Sequence, residues 1–439
     1  MDTAHHLILV AGALGLLSII AGLFSARFGT PLLLVFLAIG ILVGMEGPVG
    51  LVFNDVQSAY LIGSVALAVI LFESGLKTKR SMLKIALEPA AALATVGVAI
   101  TAGIICATFV LLPPPPAPYS PWLVALLIGT ILAPTDAAAV AMVLRRARLA
   151  LPKRVTAALE VESGLNDPMS VFLTVLLTQQ ALAPGSFTVA HAAMIFAEEM
   201  GGGTLLGVGG GYLMLLVLRR LQVENAVYPV LALMGSLLLF GAAQSIGASG
   251  FIAVYLAGVI VGNSERQSTP AVEQFFEALG WLAQIVLFLM LGLLVAPHMI
   301  LPVPWIVLGA TTMALLLVAR PIACVICLLP FGFTLRETAF MSWAGLRGAV
   351  PIYLVIIPML AGISDAKFLL VPIFAVVVIS LIAQGWTIAP AARLLGFGKQ
   401  PAQSVAIRPI EDAPQEKAWC ALGSWLPRPA VKRIGNGPI

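Results

Sequence analysis

Acidic side chains interrupt two neighbouring apolar stretches of the chain, in the runs Pro134-Thr135-Asp136 and Glu162-Ser163-Gly-Leu-Asn166-Asp167-Pro168. An ionised side chain in hydrocarbon is costly, so it persists where it is paired, faces water inside a helical bundle or has a function. Carboxylate, hydroxyl and carbonyl oxygens are also the ligands that hard cations prefer. Two adjacent segments that carry acids near their centres therefore predict a pathway for cations or protons.

The polar residues of the second stretch follow helical spacing. Five of them recur at steps of three, one, three and four residues, which places them on one face of an α-helix: Ser163, Asn166, Asp167, Ser170 and Thr174. Such a face on an otherwise apolar helix predicts contact with an aqueous cavity or a partner helix. A hydrogen-bonded seam that only joins helices explains the hydroxyl groups, but it does not explain Asp167. We therefore favour a functional role for this face.

Proline shapes the first stretch. Inside a helix, Pro134 removes one backbone hydrogen bond and clashes with the preceding turn, and the carbonyl groups freed in this way can bind a cation where they line a cavity. The Thr135 hydroxyl and the Asp136 carboxylate add side-chain oxygens to this set. The alternative interpretation is a simple proline kink at which Asp136 caps the next helix.

The composition predicts a membrane protein. Hydrophobic residues make up 60% of the 439 residues and charged residues only 10%, whereas a soluble domain has about 25% charged residues. A spanning helix needs about 20 apolar residues, and fewer where it is broken. Thirteen segments are candidates: 7–25, 31–45, 59–74, 88–112, 121–144, 155–182, 188–218, 227–245, 248–264, 271–297, 304–330, 336–361 and 367–396. We expect an all-α polytopic membrane protein with about 13 transmembrane helices in residues 1–398, and a short, disordered cytoplasmic tail in residues 399–439.

Positive charge alternates between the loops. The loops after odd-numbered segments carry most of the Lys and Arg residues, from Arg27 to Arg266, whereas those after even-numbered segments carry only Lys367. Positively charged loops stay in the cytoplasm. We therefore predict that the N-terminus is outside and that the C-terminal tail is inside.

Segment twelve is interrupted in the same manner as segment five, since it contains Gly345-Leu-Arg347-Gly348 and Pro351. Segment five is the fifth of the first six segments, and segment twelve is the fifth of the last six. Matching interruptions in two halves are typical of an inverted-repeat transporter with its site at the repeat interface. We therefore expect two broken helices that cross, with Arg347 offsetting the charge of the helix ends that meet there.

Two ion pairs are predicted. Glu73 and Lys77 have the i,i+4 spacing of an ion pair on a helix near the membrane interface. Arg320 lies near the centre of segment eleven, and an arginine at that depth needs a carboxylate partner. The candidates are Asp136, Glu162 and Asp167. We expect Arg320 to pair with Glu162, because this pairing leaves Asp167 free to titrate.

Glycine recurs at every fourth residue of segment seven, at Gly203, Gly207 and Gly211. Small residues at this spacing let two helices approach each other closely. Packing within one molecule and dimerisation both fit this pattern.

Taken together, these motifs resemble those of the monovalent cation:proton antiporters of the NhaP type. The matching pieces are Thr135-Asp136-Ala-Ala-Ala-Val140, Glu162-Ser-Gly-Leu-Asn166-Asp167-Pro168 and Gly345-Leu-Arg347-Gly348-Ala-Val-Pro351, and the resemblance covers roughly residues 7–396. Within the family, Asp136-Ala-Ala-Ala-Val together with Asn166-Asp167-Pro168-Met169 is most similar to the bacterial potassium/proton antiporter branch.

The resemblance implies a fold of thirteen spans, in which a six-helix core domain moves against a dimerisation domain in the bacterial inner membrane. It implies that Asp167 carries the cation or the proton, that Asn166 supports the geometry there, and that Thr135, Asp136 and Ser163 complete the cation site. The family's ion pair falls on Glu162 and Arg320. The Asn-Asp pair resembles members that exchange one proton for one cation. A regulatory domain, which is usual in the potassium/proton branch, is not expected in the tail.

The predicted function is secondary active exchange of a monovalent cation, K⁺ or Na⁺, for H⁺. The main alternative is a cation channel or uniporter that uses the same acids. An enzyme is not expected, because the chain has four histidines, no His-Glu-x-x-His motif and no Gly-x-Ser-x-Gly motif. We expect membrane lipid and a second copy of the chain as partners, and no nucleic acid, cofactor or metal ion other than the transported cation.

Overall fold

The structure is a computed structural model that describes residues 2–28, 32–47, 49–51, 53, 55–111, 120–183, 188–221, 224–264, 269–295, 304–363 and 367–398. The predicted tail, residues 399–439, lies outside the described residues. Its predicted disorder and its predicted position in the cytoplasm therefore stay predictions.

Helices form the regular structure of the described ranges. In chain order they are α1 (Asp2–Phe28), α2 (Leu32–Val43), α3 (Val56–Lys77), α4 (Arg80–Leu111), α5 (Pro121–Ile131), α6 (Ala137–Arg146), α7 (Lys153–Leu182), α8 (Val189–Arg220), α9 (Val227–Ser245), α10 (Gly250–Gly262), α11 (Thr269–Leu294), α12 (Trp305–Phe331), α13 (Leu335–Trp343), α14 (Val350–Leu360) and α15 (Lys367–Leu394). Helices α4, α8 and α12 each contain a short π-helical stretch.

Each of the thirteen predicted segments is helical, with ends within a few residues of the prediction except at α4, which begins at Arg80, eight residues before the predicted start at residue 88. Segment five is divided into α5 and α6, and segment twelve is divided into α13 and α14. Within the described residues, 7 helices are by themselves long and apolar enough to cross a membrane, and shorter apolar helices accompany them. The prediction of an all-α polytopic membrane protein with two broken segments is therefore confirmed.

The helices pack as two groups. One group consists of α1 to α3 with α8 to α11, and the other consists of α4 to α7 with α12 to α15. The second group combines segments four to six with segments eleven to thirteen, which are the last three segments of the first six and of the last six. This grouping agrees with the predicted inverted repeat. Contacts between the groups include α3 with α14 and α10 with α7.

The glycine face of α8 packs against α10. A Cβ atom at Gly203 would lie 2.6 Å from the carbonyl oxygen of Ser249, and one at Gly207 would lie 2.8 Å from Cα of Ala253. These distances are too short for any side chain, so the two backbones meet directly. Of the two interpretations of this pattern, packing within one molecule is confirmed.

Gly207→Val should lower the stability of the protein, because the added side chain would meet the backbone of α10. Overpacking of this kind costs about 1–3 kcal/mol. The thermal unfolding midpoint of the purified protein in detergent measures this loss. Gly209→Val is the matched control, since a Cβ atom at Gly209 meets nothing within 4 Å. Equal unfolding midpoints for the two variants would contradict the packing described here.

Candidate functional site

The two broken segments cross at their interruptions. Helix α5 ends at Ile131 and α6 begins at Ala137, whereas α13 ends at Trp343 and α14 begins at Val350. The backbone N–H of Asp136, in the first connection, donates a hydrogen bond of 2.8 Å to the carbonyl oxygen of Leu346 in the second. Four helix ends therefore meet at one place inside the second helix group.

Arg347 lies at this crossing with its side chain fully buried. Its Nη1 group donates hydrogen bonds to the carbonyl oxygens of Ala133 and Pro134, the second at 3.0 Å. These carbonyls follow the C-terminal end of α5, where a helix carries partial negative charge. The structure thus places Arg347 where its positive charge offsets a helix end.

Asp136 has two neighbours that use different parts of its carboxylate. It is the N-cap of α6, because Oδ1 accepts a 2.9 Å hydrogen bond from the N–H of Ala139. Oδ2 faces Gly348, where a Cβ atom would lie 2.6 Å away. Asp136 therefore caps α6, as one interpretation of its sequence context expected, and also lies against Gly348 at the crossing. Its role as a cation ligand stays a prediction.

The polar face of α7 lies against the first connection. Asn166 Nδ2 donates to Thr135 Oγ1 at 2.9 Å, and Ser163 Oγ donates to the carbonyl oxygen of Thr135, also at 2.9 Å. Asp167 is 5% exposed, and its buried Oδ1 has no hydrogen-bond partner within the described residues. Asn166 Oδ1 is also buried and also has no hydrogen-bond partner within the described residues. The crossing thus gathers all five residues predicted for the cation site.

Glu162 forms the ion pair with Arg320. The two guanidinium nitrogens Nη1 and Nη2 donate to the two carboxylate oxygens, with 2.9 Å between Nη2 and Oε2. Both side chains are buried, and Thr135 Oγ1 lies 3.4 Å from Glu162 Oε1. Arg320 thus pairs with Glu162, and neither Asp136 nor Asp167 is its partner.

One cavity joins the site to the surface. It is lined by Thr135, Asp136, Ser163 and Asp167, and by residues of α3, α11 and α14 from both helix groups, and it offers about 110 Å³ to the centres of water molecules. At its outer end lie charged residues of three helices: Glu73, Lys77, Arg145 and Glu160. Lys77 Nζ is 2.5 Å from Glu73 Oε1. The Lys77 side chain is 43% exposed, so the cavity reaches solvent at this end.

Sequence reasoning placed Glu73 in an ion pair but not in the cavity. The cavity position depends on Gly280 of α11, where a Cβ atom would lie 2.1 Å from Glu73 Oε2. Helices α3 and α11 are far apart in the chain, so the residues next to Glu73 in the sequence do not predict their contact. The glycine at position 280 is the nearest signal, and alone it predicts nothing about its neighbour.

The chemistry of the site suits small hard cations and protons. Its ligands are carboxylate, hydroxyl, amide and carbonyl oxygens, and the described residues contain no group of three His, Cys, Asp or Glu side chains that could hold a metal ion. The buried carboxylate of Asp167 sits at the end of a cavity, between two helix groups. This fold and this site define a membrane transporter of cations.

Comparison with known proteins identifies the family. A family model described as "Sodium/hydrogen exchanger, transmembrane" matches residues 15–394, and the chain belongs to this family. It is therefore a cation:proton exchanger and not an enzyme, as the sequence predicts.

Two kinds of relatives support this assignment. The K(+)/H(+) antiporter NhaP of Alkalimonas amylolytica is 40% identical over 90% of this chain and 68% of its own length. The Na(+)/H(+) antiporter NhaS2 of Synechocystis sp. is 28% identical over 84% of this chain and 68% of its own length. The chain thus spans about two thirds of these relatives. The structure of the sodium proton antiporter MjNhaP1 from Methanocaldococcus jannaschii matches the fold with a TM-score of 0.72 at 23% identity, over 89% of this chain and 99% of that one.

Gly348→Ala should weaken cation binding, because the new methyl group would displace the Asp136 carboxylate from its present position. We expect the KM for the cation to rise about tenfold, which corresponds to about 1.4 kcal/mol. Cation-dependent proton movement in membrane vesicles measures this constant. Gly309→Ala is the control, since its Cβ atom meets nothing within 4 Å. An unchanged KM in Gly348→Ala would show that the position of Asp136 does not matter.

Glu162→Leu and Arg320→Met should each destabilise the protein strongly, since each leaves one buried charge without its partner. Loss of one member of a buried pair costs about 3–5 kcal/mol. The double variant should lose much less than the sum of the two, because neither charge remains. Thermal unfolding of the three variants tests this cycle, and additive losses would contradict a direct pair.

Proposed function

We propose that the protein exchanges one monovalent cation for one proton at Asp167 by alternating access. The observation that carries this proposal is the pattern of hydrogen bonds around Asp167. Side-chain oxygens of Glu162, Asp136 and Ser163 have protein partners, whereas the buried Oδ1 of Asp167 has none within the described residues. A carboxylate left in this way needs an external proton or cation to satisfy it.

The cation ligands proposed are oxygens of Asp167, Asp136, Ser163 and Thr135. Asn166 orients Thr135 by donating to its hydroxyl oxygen, and the hydroxyl proton is donated to Glu162 Oε1 at 3.4 Å, so one lone pair of Thr135 Oγ1 is left. The carbonyl oxygen of Thr135 accepts one hydrogen bond from Ser163 and retains a second lone pair. The set offers two carboxylates and several neutral oxygens, which are the ligands that hard cations prefer. The Asp136 carboxylate already accepts the N–H of Ala139, so Asp167 supplies the uncompensated negative charge.

Competition at Asp167 explains coupling between the two ions. Either a proton or a cation can neutralise the carboxylate, and both cannot do so together. Only a neutralised site crosses an apolar barrier at low cost, since a bare charge in hydrocarbon is expensive. Each half of the cycle therefore carries one of the two ions, and the exchange is obligatory.

We infer that contacts between the helix groups at Tyr353, which does not line the cavity, close the other side of the site. The hydroxyl of Tyr353 in α14 and Ser64 Oγ in α3 are joined by a hydrogen bond of 2.9 Å. The Tyr353 ring also stacks on the ring of Tyr60, with 5.8 Å between the ring centroids. A Cβ atom at Gly63 would lie 2.5 Å from the Tyr353 ring, so the groups fit tightly here. In the proposed cycle these contacts open when the groups move and the cavity closes.

The family match separates the antiporter from the alternative function. A channel or uniporter needs a continuous path through the membrane during conduction. Tyr60, Ser64 and Tyr353 are not among the residues that line the cavity, and a cavity without them fits alternating access. The sodium/hydrogen exchanger family to which the chain belongs supports exchange over conduction.

The proposed cation is potassium, with sodium as the second candidate. The potassium antiporter relative is 40% identical to this chain and the sodium antiporter relative is 28% identical.

We further propose a homodimer in the bacterial inner membrane. The exposed apolar side chains of α8 and α9, such as Leu205 and Leu238, need cover from lipid or a second copy.

We propose that residues 1–398 form the transmembrane unit, with the N-terminus outside and residues 399–439 as a cytoplasmic tail. The orientation rests on the positively charged loops. Lys77 and Arg145, which lie in or beside such loops, mark the mouth of the cavity, so the cavity opens to the cytoplasm in this orientation.

Asp167→Asn should abolish exchange, because an amide can neither release a proton nor neutralise a cation. Inside-out vesicles with an imposed proton gradient and a pH-sensitive dye measure the response to added potassium, sodium and lithium. Wild-type protein should give cation-dependent dequenching, and Asp167→Asn should give none.

Asp55→Asn is the matched control for this experiment. Asp55 is exposed and caps α3, a position at which Asn serves equally well, so normal exchange is expected. Normal exchange by Asp167→Asn would refute the assignment of Asp167. Cation flux in wild type without proton movement would support the channel.

A further inference from the structure

A polar seam lies on one face of the otherwise apolar helix α15. Ser380, Gln384 and Thr387 follow steps of four and three residues, so they share this face. Ser380 and Gln384 are both fully buried. The proposed exchange reaction assigns no role to any of these three side chains, although buried polar groups in a membrane are costly.

The seam binds the connection between α13 and α14. Gln384 Nε2 donates a 2.7 Å hydrogen bond to the carbonyl oxygen of Trp343, and Thr387 Oγ1 accepts one of 2.9 Å from the indole N–H of Trp343. The backbone N–H of Arg347 lies 3.4 Å from Ser380 Oγ, which in turn donates to Gln384 Oε1. The connection is therefore attached to α15 where it leaves α13 and again within it, at Arg347.

These bonds satisfy backbone groups that the broken helix leaves without helical partners. Trp343 is the last residue of α13, so no backbone N–H of that helix donates to its carbonyl oxygen. The N–H of Arg347 belongs to the non-helical connection. In an apolar interior such groups need partners from the protein itself, and Gln384 with Ser380 supplies them.

The opposite side of the same connection faces the cation site. The carbonyl oxygen of Leu346 accepts the N–H of Asp136 at 2.8 Å, and Gly348 lies directly against the Asp136 carboxylate. A shift of the connection toward α15 or away from it therefore changes the position of Asp136. Gln384 and Ser380 bind this connection from the far side, at Trp343 and Arg347.

We propose that Gln384, with Ser380, is a positioning residue for ion exchange, which holds the Trp343–Gly348 connection so that the Asp136 carboxylate faces the bound cation. This inference rests on the proposed cation site. Gln384 does not touch the cation itself, so its loss changes the affinity of the site and leaves the exchange reaction intact.

The test compares Gln384→Leu and Gln384→Glu in vesicles by the KM for the cation, each relative to wild type at the same pH. Gln384→Leu removes the donor to Trp343 and the acceptor for Ser380, and it should raise the KM about tenfold with a maximal rate close to that of wild type. Gln384→Glu, when protonated, can donate to Trp343 and accept from Ser380. At low pH, the KM of Gln384→Glu divided by the KM of wild type should therefore be near one. At the same pH this ratio should be smaller than the ratio for Gln384→Leu.

Gln244→Leu is the matched control, because it makes the same change at an exposed position of α9 and should leave the KM unchanged. An unchanged KM in Gln384→Leu, or an equal defect in Gln384→Leu and Gln384→Glu at every pH, would overturn the inference. If Gln384→Leu does not fold, Ser380→Ala decides, since it releases the N–H of Arg347 and keeps the bond to Trp343. It should raise the KM several-fold, and an unchanged KM would overturn the inference. Absence of exchange in wild type would instead refute the proposed function.

Discussion

Backbone groups inside a membrane must find their partners within the protein, and the two broken helices of this chain depend on that constraint. Each interruption exposes carbonyl and N–H groups, and the crossing satisfies them with one another and with buried side chains. Arg347 binds the carbonyl groups of the α5–α6 connection, and the N–H of Asp136 binds Leu346 across the crossing. From the far side, Gln384 binds the end of α13. These bonds fix the backbone that carries Asp136, and the polar face of α7 brings Asp167 to it.

The charges near the crossing are balanced unequally. Arg320 and Glu162 neutralise each other, and Arg347 is held by the ends of broken helices. Asp136 has the N–H groups of α6 as partial compensation, whereas Asp167 has no comparable partner on Oδ1 within the described residues. The positive charge that balances Asp167 is therefore proposed to come from solution and to return to it. Coupled transport then follows from electrostatics, since two competing ions share one negative charge.

The sequence predicts those structural elements that depend on residues close together in the chain. Pro134, Gly345 and Gly348 predicted the interruptions, and the spacing of Asn166 and Asp167 predicted a polar face, because helical geometry relates such residues directly. The positions of Glu73, Tyr353 and Gln384 depend on packing between helices far apart in the chain, which no local pattern specifies. The glycine face of α8 shows the same limit: its spacing predicted close packing, but only the structure identified α10 as the partner. Selectivity between potassium and sodium depends on sub-ångström distances in the same crossing.

The measurement that tests the central claim is the dependence of cation affinity on pH. Initial rates of exchange by wild-type protein in proteoliposomes would be recorded over a range of cation concentrations at a series of pH values. If protons and cations compete for Asp167, lowering the pH should raise the KM for the cation, and saturating cation should restore the same maximal rate. A maximal rate that falls with pH at constant KM would place the proton on a separate group, and would contradict the account.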